Sequence, residues 1–246
     1  MTTPTVAVAA DEAALARLAA EVVLRAAEAS GARFCVALSG GSTPQPLYRL
    51  LASPEYRDRM PWRSTHFFLA DERAVPPDSP DSNFGLVRRL LLSCVPAPER
   101  QVHRMRGEAE NLRAAAKDYE WELAATCEFA AGCREPQLDL VLLGIGEDGH
   151  TASLFPDTAA LTEEERWVVA NYVPRLNAHR LTLTYPVLAA AREVALLVSG
   201  AGKADVVRRV LAGDPDLPAT PVARHPRATF LLDAAAASRS GLEAIR

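Results

Sequence analysis

Residues 39–44 of the sequence read Ser-Gly-Gly-Ser-Thr-Pro, a composition that can bind an anion. Glycines let backbone N–H groups approach a ligand closely, and hydroxyl groups donate further hydrogen bonds, which suits a phosphate. The segment is not a Walker A loop, because no Gly-Lys-Ser or Gly-Lys-Thr follows it. A glycine-rich turn without a ligand is the alternative interpretation. The residues that we predict to bind phosphate here are Ser39, Gly40, Gly41, Ser42 and Thr43.

A second polar segment, Asp-Glu-Arg at residues 71–73, directly follows an apolar run. Charged side chains at the end of a buried strand would lie at the rim of a pocket. Asp71 or Glu72 could orient a base or a ligand hydroxyl group, and Arg73 could bind an oxyanion. A solvated turn explains the same charges equally well, so this segment carries little weight alone.

A third segment, residues 144–156, combines glycines with acidic residues and a histidine. Its glycines have the GxGxxG spacing of dinucleotide-binding loops, but that motif needs a long helix that begins within it. Pro156 comes too early for such a helix, and Asp148 would repel a pyrophosphate. We therefore reject a dinucleotide site at this position.

The same segment is better explained as a turn that presents Asp148 and His150 together. A carboxylate beside an imidazole can fix its tautomer and raise its basicity, which suits general-base catalysis near neutral pH. A lone histidine is more often structural, but the surrounding glycines and the nearby aspartate favour a functional one. We predict that Asp148 and His150 are the catalytic residues.

Two further cations are candidates for binding a phosphate. Arg180 begins an alternating run of apolar and polar residues, and Lys203 ends the segment Ser-Gly-Ala-Gly-Lys. A lysine at a glycine-rich helix entrance suits a phosphate dianion, although a surface lysine near a helix start is the alternative. The sequence does not decide which of Arg73, Arg180 and Lys203 contacts the phosphate. No group of residues has metal-ligand spacing, so we predict neither a metal nor a cofactor.

Apolar runs and amphipathic segments alternate along the chain, which predicts an α/β protein built around a mostly parallel sheet. In such sheets ligands bind beyond the carboxyl ends of the strands, where the polar segments above would meet. We find no repeat or linker and expect a single domain over residues 1–246. The predicted strands span residues 34–38, 65–70, 138–143, 167–173, 180–185, 194–198 and 229–232, and the predicted helices span 11–30, 45–51, 83–93, 108–131 and 204–211.

The composition excludes several classes of protein. The chain has 246 residues, of which 49% are hydrophobic and 24% charged, with a net charge of −4. Without a basic cluster we expect no nucleic-acid partner, and without an apolar stretch of about 18 residues no membrane span. The first residues lack the pattern of a secretion signal, and the few scattered cysteines suit a reducing compartment. We expect a cytoplasmic protein; its oligomeric state is not determined by sequence, and of the alternatives we favour a monomer.

The ordered set of motifs resembles the glucosamine-6-phosphate isomerase/6-phosphogluconolactonase family, and within it the lactonases. The segments that carry the resemblance are SGGSTP at 39–44, DERAVPPDSPDSN at 71–83, GIGEDGHTASLFP at 144–156, RLTLTYP at 180–186 and SGAGKADVV at 199–207. The resemblance implies a three-layer αβα fold like that of the glucosamine-6-phosphate deaminases. It also implies metal-free hydrolysis of 6-phospho-D-glucono-1,5-lactone to 6-phospho-D-gluconate in the oxidative pentose phosphate pathway.

This resemblance suggests a role for each polar segment. The phosphate would lie on residues 39–43 with Lys203 and either Arg180 or Arg73. His150 would take a proton from the water that attacks the lactone carbonyl, and Asp148 would hold His150 in position. The sequence does not identify the donor that stabilises the developing oxyanion.

Two alternative functions remain open. The deaminases share the Asp-Gly-His turn but use an acidic residue shortly after the histidine, whereas here the next acid is Asp157. That difference, together with Arg73, favours the lactonase. A non-catalytic sugar-phosphate sensor would usually carry a DNA-binding helix pair, for which the chain has neither spare length nor a basic patch.

Overall fold

The computed structural model describes residues 4–241, and its centre is a six-stranded sheet in the order β1-β11-β10-β7-β2-β3. All five strand pairings in this sheet are parallel. The α/β class with a mostly parallel sheet is therefore confirmed. The six strands are β1 (Thr5–Ala9), β2 (Phe34–Leu38), β3 (Thr65–Leu69), β7 (Leu140–Leu143), β10 (Glu193–Val198) and β11 (Ala228–Asp233).

Helices cover both faces of this sheet, which explains why its inner strands read as continuous apolar runs. Alternate residues of β2 belong to different hydrophobic clusters: Val36 packs with α1 and α2, whereas Ala37 packs with α5 and α7. The layers are therefore helix, sheet and helix. The helices are α1 (Glu12–Ala29), α2 (Gln45–Leu51), α3 (Pro54–Arg57), α4 (Asn83–Leu90), α5 (Leu112–Thr126), α6 (Tyr185–Ala190), α7 (Ala204–Leu211), α8 (Ala219–Ala223) and α9 (Ala234–Ala237).

A second, antiparallel sheet has the order β4-β9-β8, with β4 at Asp71–Arg73, β8 at Val168–Val173 and β9 at Ala178–Leu183. Ala70 joins the two sheets, because its N–H donates to Leu38 O at 2.8 Å and its carbonyl accepts from Leu183 N at 2.9 Å. The chain therefore leaves the end of β3 and enters β4 without a loop. This junction brings the small sheet to the carboxyl edge of the large one.

Most predicted elements are present, with corrections at several places. The predicted helix over 108–131 spans only Leu112–Thr126: Asn111 caps its start by accepting from Ala114 N, and the chain is already extended at Cys127. The short strands β5 (Glu128–Phe129) and β6 (Pro136–Gln137) follow it. The predicted strand over 180–185 lies at 178–183, so Tyr185 begins a helix.

The sequence did not predict β1, an edge strand, nor β4, where only a polar turn was expected. Within residues 4–241, no helix combines the length and the apolar character needed to cross a membrane.

Candidate active site

A pocket of about 220 Å³ lies at the carboxyl ends of β2, β7 and β10. It brings together all of the predicted site residues except Glu72, Asp148 and Arg180. A larger groove of about 810 Å³ runs between α5 and β8 and contains none of them. The residues that line the smaller pocket are Ser39, Gly40, Gly41, Ser42, Thr43, Pro44, Asp71, Arg73, Asn83, Gly144, Ile145, Gly146, His150, Ala152, Leu197, Val198 and Lys203.

The 39–44 segment forms one wall of the pocket and is fixed from below. The Ser39 hydroxyl donates to Leu142 O at 2.8 Å, and the buried Tyr48 hydroxyl donates to Ser39 O at 2.5 Å. A Cβ atom at Gly40 would lie 1.7 Å from Asn83 Oδ1, so only glycine fits there. Gly41 has a φ of 93°, a conformation that also favours glycine.

Lys203 and Arg73 supply positive charge to this pocket. Neither cation forms an ion pair with a carboxylate in the described part of the chain. Arg73 donates from Nη1 to Asp81 O at 2.6 Å, which leaves its charge uncompensated. An anionic ligand could therefore bind Lys203 and Arg73 without first displacing a carboxylate from either of them.

Arg180 lies directly opposite Arg73 in the β4–β9 pairing but is not among the pocket-lining residues. Burial and then the nearby Arg73 charge lower the pKa of Arg180 from its ordinary value. Two adjacent guanidinium groups at one rim favour a bound anion, with Arg73 nearer to the pocket than Arg180.

Glu72 does not face the pocket, which corrects its predicted role as a ligand contact. Its side chain is buried, with the residue only 2% exposed, and accepts four hydrogen bonds, three of them from the start of α4. Burial raises the pKa of Glu72, and these hydrogen bonds oppose that effect. The donors are the Ser82 hydroxyl and the backbone N–H groups of Arg73, Asn83 and Phe84.

Asp71, in contrast, lines the pocket and is 7% exposed. Its Oδ2 accepts from the Ser153 hydroxyl at 2.6 Å, and its Oδ1 accepts from Asn83 Nδ2 at 3.1 Å. These two contacts hold the carboxylate in one orientation. Ser153 and Asn83 were not predicted as site residues, although both lie inside motifs that the sequence singles out.

His150 and Asp148 are in direct contact, as predicted. His150 Nδ1 lies 2.5 Å from Asp148 Oδ1. A carboxylate only accepts hydrogen bonds, so in the neutral imidazole Nδ1 carries the proton and Nε2 keeps a free lone pair. His150 itself lines the pocket, whereas Asp148 lies behind it. The arrangement is that of a general base with an orienting carboxylate.

The glycines of the third segment allow this contact. The Gly146 N–H donates to His150 O at 2.8 Å, and a Cβ atom at Gly146 would lie 1.9 Å from His150 Nδ1. Gly149 has a φ of 82° and leaves no room beside Leu217. The segment continues in turns and not in a long helix, so it lacks the element that a dinucleotide site requires.

Arg175 is a charged neighbour of the pair that the sequence did not reveal. Its guanidinium forms an ion pair with Asp148 Oδ2. Burial raises the pKa of Asp148, but the hydrogen bonds and charge of His150, together with the Arg175 charge, lower it to about 2. Asp148 is therefore ionised throughout the neutral pH range. Among residues 4–241, no cluster of three or more histidine, cysteine or acidic side chains could hold a metal ion.

The fold and the pocket define a class: an α/β protein whose parallel sheet ends at a glycine-rich loop, unpaired cations and a carboxylate–histidine pair. The family model described as "Glucosamine-6-phosphate isomerases/6-phosphogluconolactonase" matches residues 9–231, and the chain belongs to this family.

Named relatives agree with this assignment. A 6-phosphogluconolactonase from Synechocystis is 43% identical over 181 residues, which covers 74% of this chain and 72% of the relative. The solved 6-phosphogluconolactonase of Trypanosoma brucei has a TM-score of 0.85 and 32% identity, and covers 97% of this chain and 99% of its own. A monomeric glucosamine-6-phosphate deaminase has a TM-score of 0.82 at 22% identity, covers 96% and 99%, and shares the fold alone.

Proposed function

We propose that this chain hydrolyses 6-phospho-D-glucono-1,5-lactone to 6-phospho-D-gluconate. The observation that carries the proposal is the His150–Asp148 contact at 2.5 Å, placed at a pocket that also contains the glycine-rich loop and Lys203. The names of the relatives support the lactone as substrate. A base and an anion-binding wall in one pocket are what hydrolysis of a phosphorylated lactone requires.

His150 acts first as a general base in this mechanism. Its free Nε2 takes a proton from a water molecule, and the water oxygen attacks the lactone carbonyl carbon to give a tetrahedral oxyanion. The intermediate then collapses as the bond from that carbon to the ring oxygen breaks. His150 returns its proton to the ring oxygen, which becomes a hydroxyl group, and the new carboxylic acid ionises to the product.

The phosphate supplies binding energy and orientation. We assign it to the 39–43 loop and Lys203, with Arg73 as the second cation and Arg180 beside it. A charge-assisted contact between lysine and a phosphate dianion is among the stronger hydrogen bonds in proteins. Binding of the phosphate places the lactone carbonyl beside His150. This orientation lowers the activation barrier even though the phosphate takes no part in the reaction.

The chain lacks the acidic residue that the deaminases use shortly after the histidine. The first acid after His150 is Asp157, which is exposed, has a φ of 61° and lies beside a different groove. We therefore favour the lactonase over the deaminase.

A direct experiment separates the two reactions and the sensor. Purified protein is given freshly made lactone, with correction for spontaneous opening, and in parallel glucosamine 6-phosphate with detection of ammonia. Rapid lactone opening without ammonia supports the proposal. Ammonia release assigns the chain to the deaminases, and binding of 6-phosphogluconate without turnover of either compound indicates a sensor.

The proposal includes a cytoplasmic monomer that needs no metal ion. The four cysteines, Cys35, Cys94, Cys127 and Cys133, are free thiols, as suits a reducing compartment. We expect the lactonase rate to survive prolonged treatment with a chelator, and the mass measured by light scattering to be that of one chain. A rate that is lost on chelation and restored by a divalent metal would contradict the metal-free part of the proposal.

A further inference from the structure

Arg175 belongs to a closed ring of contacts around the base. Its guanidinium pairs with Asp148 Oδ2, and its Cζ lies 4.8 Å from the centre of the Phe155 ring. The Phe155 ring in turn stacks on the His150 imidazole, with 4.1 Å between centroids and 25° between planes. His150 Nδ1 completes the ring at Asp148 Oδ1. Arg175 therefore reaches the imidazole by two routes, through a charge and through an aromatic contact.

The segment that carries Arg175 is held in one conformation. Arg175 lies in a short 3₁₀ turn, Pro174–Leu176, between the two strands of the β8–β9 hairpin. Asn177 ends the turn with a φ of 45° and donates its N–H to Pro174 O at 3.0 Å. The Tyr172 hydroxyl donates to Asn177 Oδ1 at 2.7 Å. These contacts direct the arginine towards Asp148 from the small sheet, whereas the base itself follows β7 of the large sheet.

We propose that Arg175 is a positioning residue for the His150–Asp148 pair and sets the pH range in which the pair acts as a base. The inference rests on the proposed function, because it assigns Arg175 a part in that reaction. Arg175 is not among the residues that line the pocket, so its effect passes through Asp148 and Phe155 and not through the substrate.

The physical basis is the charge of the guanidinium. Asp148 Oδ2 is buried and has no aligned hydrogen bond, so the Arg175 charge is what compensates this oxygen. With Oδ2 held, Oδ1 stays directed at His150. The same positive charge helps to lower the pKa of Asp148, so it opposes protonation of the hydrogen-bonded pair. Loss of the charge would free the carboxylate to turn and would make protonation of the pair easier.

A contribution to folding alone does not explain this arrangement. The Arg175 side chain is 47% exposed, and ion pairs at such positions contribute little to stability. Arg59 offers a matched case far from the pocket. Its side chain is 45% exposed, pairs with Glu21 at 2.8 Å and lies 4.9 Å from the Tyr56 ring. Replacement of Arg59 removes the same kinds of contact without touching the base.

The test compares Arg175→Gln, Arg175→Lys and Arg59→Gln with the unchanged protein on the lactone. For Arg175→Gln we expect kcat to fall about tenfold with KM within about twofold, because a misplaced base loses rate without losing substrate binding. We also expect the acidic limb of the kcat/KM profile to move to higher pH. Arg175→Lys keeps the positive charge, so the acidic limb of its kcat/KM profile should stay at the pH of the unchanged protein. Arg59→Gln should match the unchanged protein in both kcat and the pH of this limb.

A direct readout is the NMR signal of the His150 Nδ1 proton, which a short hydrogen bond to a carboxylate shifts far downfield. We expect this signal to weaken or move upfield in Arg175→Gln and to persist in Arg59→Gln. The other charged groups around the pocket, Asp71, Arg73, Glu147 and Lys203, are the same in every variant. Any change in the pH limb between variants therefore reports the substituted arginine.

Several results would overturn the inference. These are an unchanged kcat, pH limb and proton signal in Arg175→Gln, a rise in KM alone, or an equal loss in Arg59→Gln. If Arg175→Gln does not fold, the neutral variant Arg175→Met takes its place: a lower kcat with the acidic limb at higher pH supports the inference, and an unchanged kcat and limb contradict it. If the unchanged protein does not open the lactone, the proposed function fails, and the proton signal still tests the role of Arg175.

Discussion

Gly146 and His150 are packed so closely that a Cβ atom on Gly146 would lie 1.9 Å from His150 Nδ1 and 2.5 Å from Asp148 Oδ1. The contact between His150 and Asp148 therefore depends on the absence of a side chain four residues before the histidine. A methyl group there would displace the imidazole, the carboxylate or both.

Gly146→Ala should accordingly abolish most of the activity while the protein stays folded. We expect kcat to fall by about 100-fold, because the imidazole is displaced by about an ångström. Gly132→Ala is the control: Gly132 has a φ of 80° with open space around it, so the change costs stability without moving the base. Steady-state rates and melting curves of both variants provide the measurement. Full activity in Gly146→Ala would show that the base lies elsewhere.

Asp148 makes the stability of the fold depend on pH in a defined direction. Its pKa is lowered from 3.8 to about 2 in the folded protein, so the ionised group stabilises the fold above its unfolded pKa. That contribution is lost as the pH falls from about 4 through about 2. The difference in unfolding free energy between the unchanged protein and Asp148→Asn, measured in urea, should therefore shrink over this range. A difference that stays constant down to pH 2.5 would contradict the ion-pair assignment.

Lys203 should affect substrate binding more than the chemical step. We expect Lys203→Met to raise KM, and the inhibition constant of 6-phosphogluconate, by about tenfold or more, as for loss of a charge-assisted hydrogen bond. Inhibition by unphosphorylated gluconate should not change. Lys117, the other lysine of the sequence, lies on α5 beside the larger groove, and Lys117→Met is the matched control. Equal effects on phosphorylated and unphosphorylated inhibitors would place the phosphate elsewhere.

Glu72 should matter for stability and not for rate per folded molecule. Glu72→Ala leaves the Ser82 hydroxyl and the N–H groups at the start of α4 without their acceptor, at a cost of about 1–3 kcal/mol. Urea unfolding measures the loss of stability. The kcat values are then compared in buffer without urea, where the variant is folded. If kcat falls while stability is unchanged, Glu72 takes part in the reaction and its assignment as an anchor is wrong.

The sequence predicted the parts of the site that lie within one short segment. The 39–43 loop, the Asp148–His150 pair and Lys203 each follow a buried strand, and the carboxyl ends of parallel strands converge, so their meeting could be expected. The strands β2, β7 and β10 were recognisable as short apolar runs, because a strand that is covered on both faces is apolar along its whole length.

Other features depended on contacts that sequence spacing does not encode. Arg175 reaches Asp148 from a separate antiparallel hairpin, and nothing in its local sequence indicates a contact with Asp148. Glu72 sits between two pocket residues, Asp71 and Arg73, but strand alternation turns its side chain away from theirs towards the start of α4. A polar segment with the composition of a turn can thus be a strand whose alternate side chains face the pocket and the protein interior.

The most direct test of the central claim is the lactonase rate of His150→Ala beside that of the unchanged protein, on fresh lactone and with spontaneous opening subtracted. We predict rapid opening by the unchanged protein and a loss of about 100-fold or more in kcat/KM in the variant, as for removal of a general base. The variant should still bind 6-phosphogluconate, because the 39–43 loop and Lys203 are unchanged. A variant that opens the lactone as fast as the unchanged protein would contradict the assignment of His150 as the base.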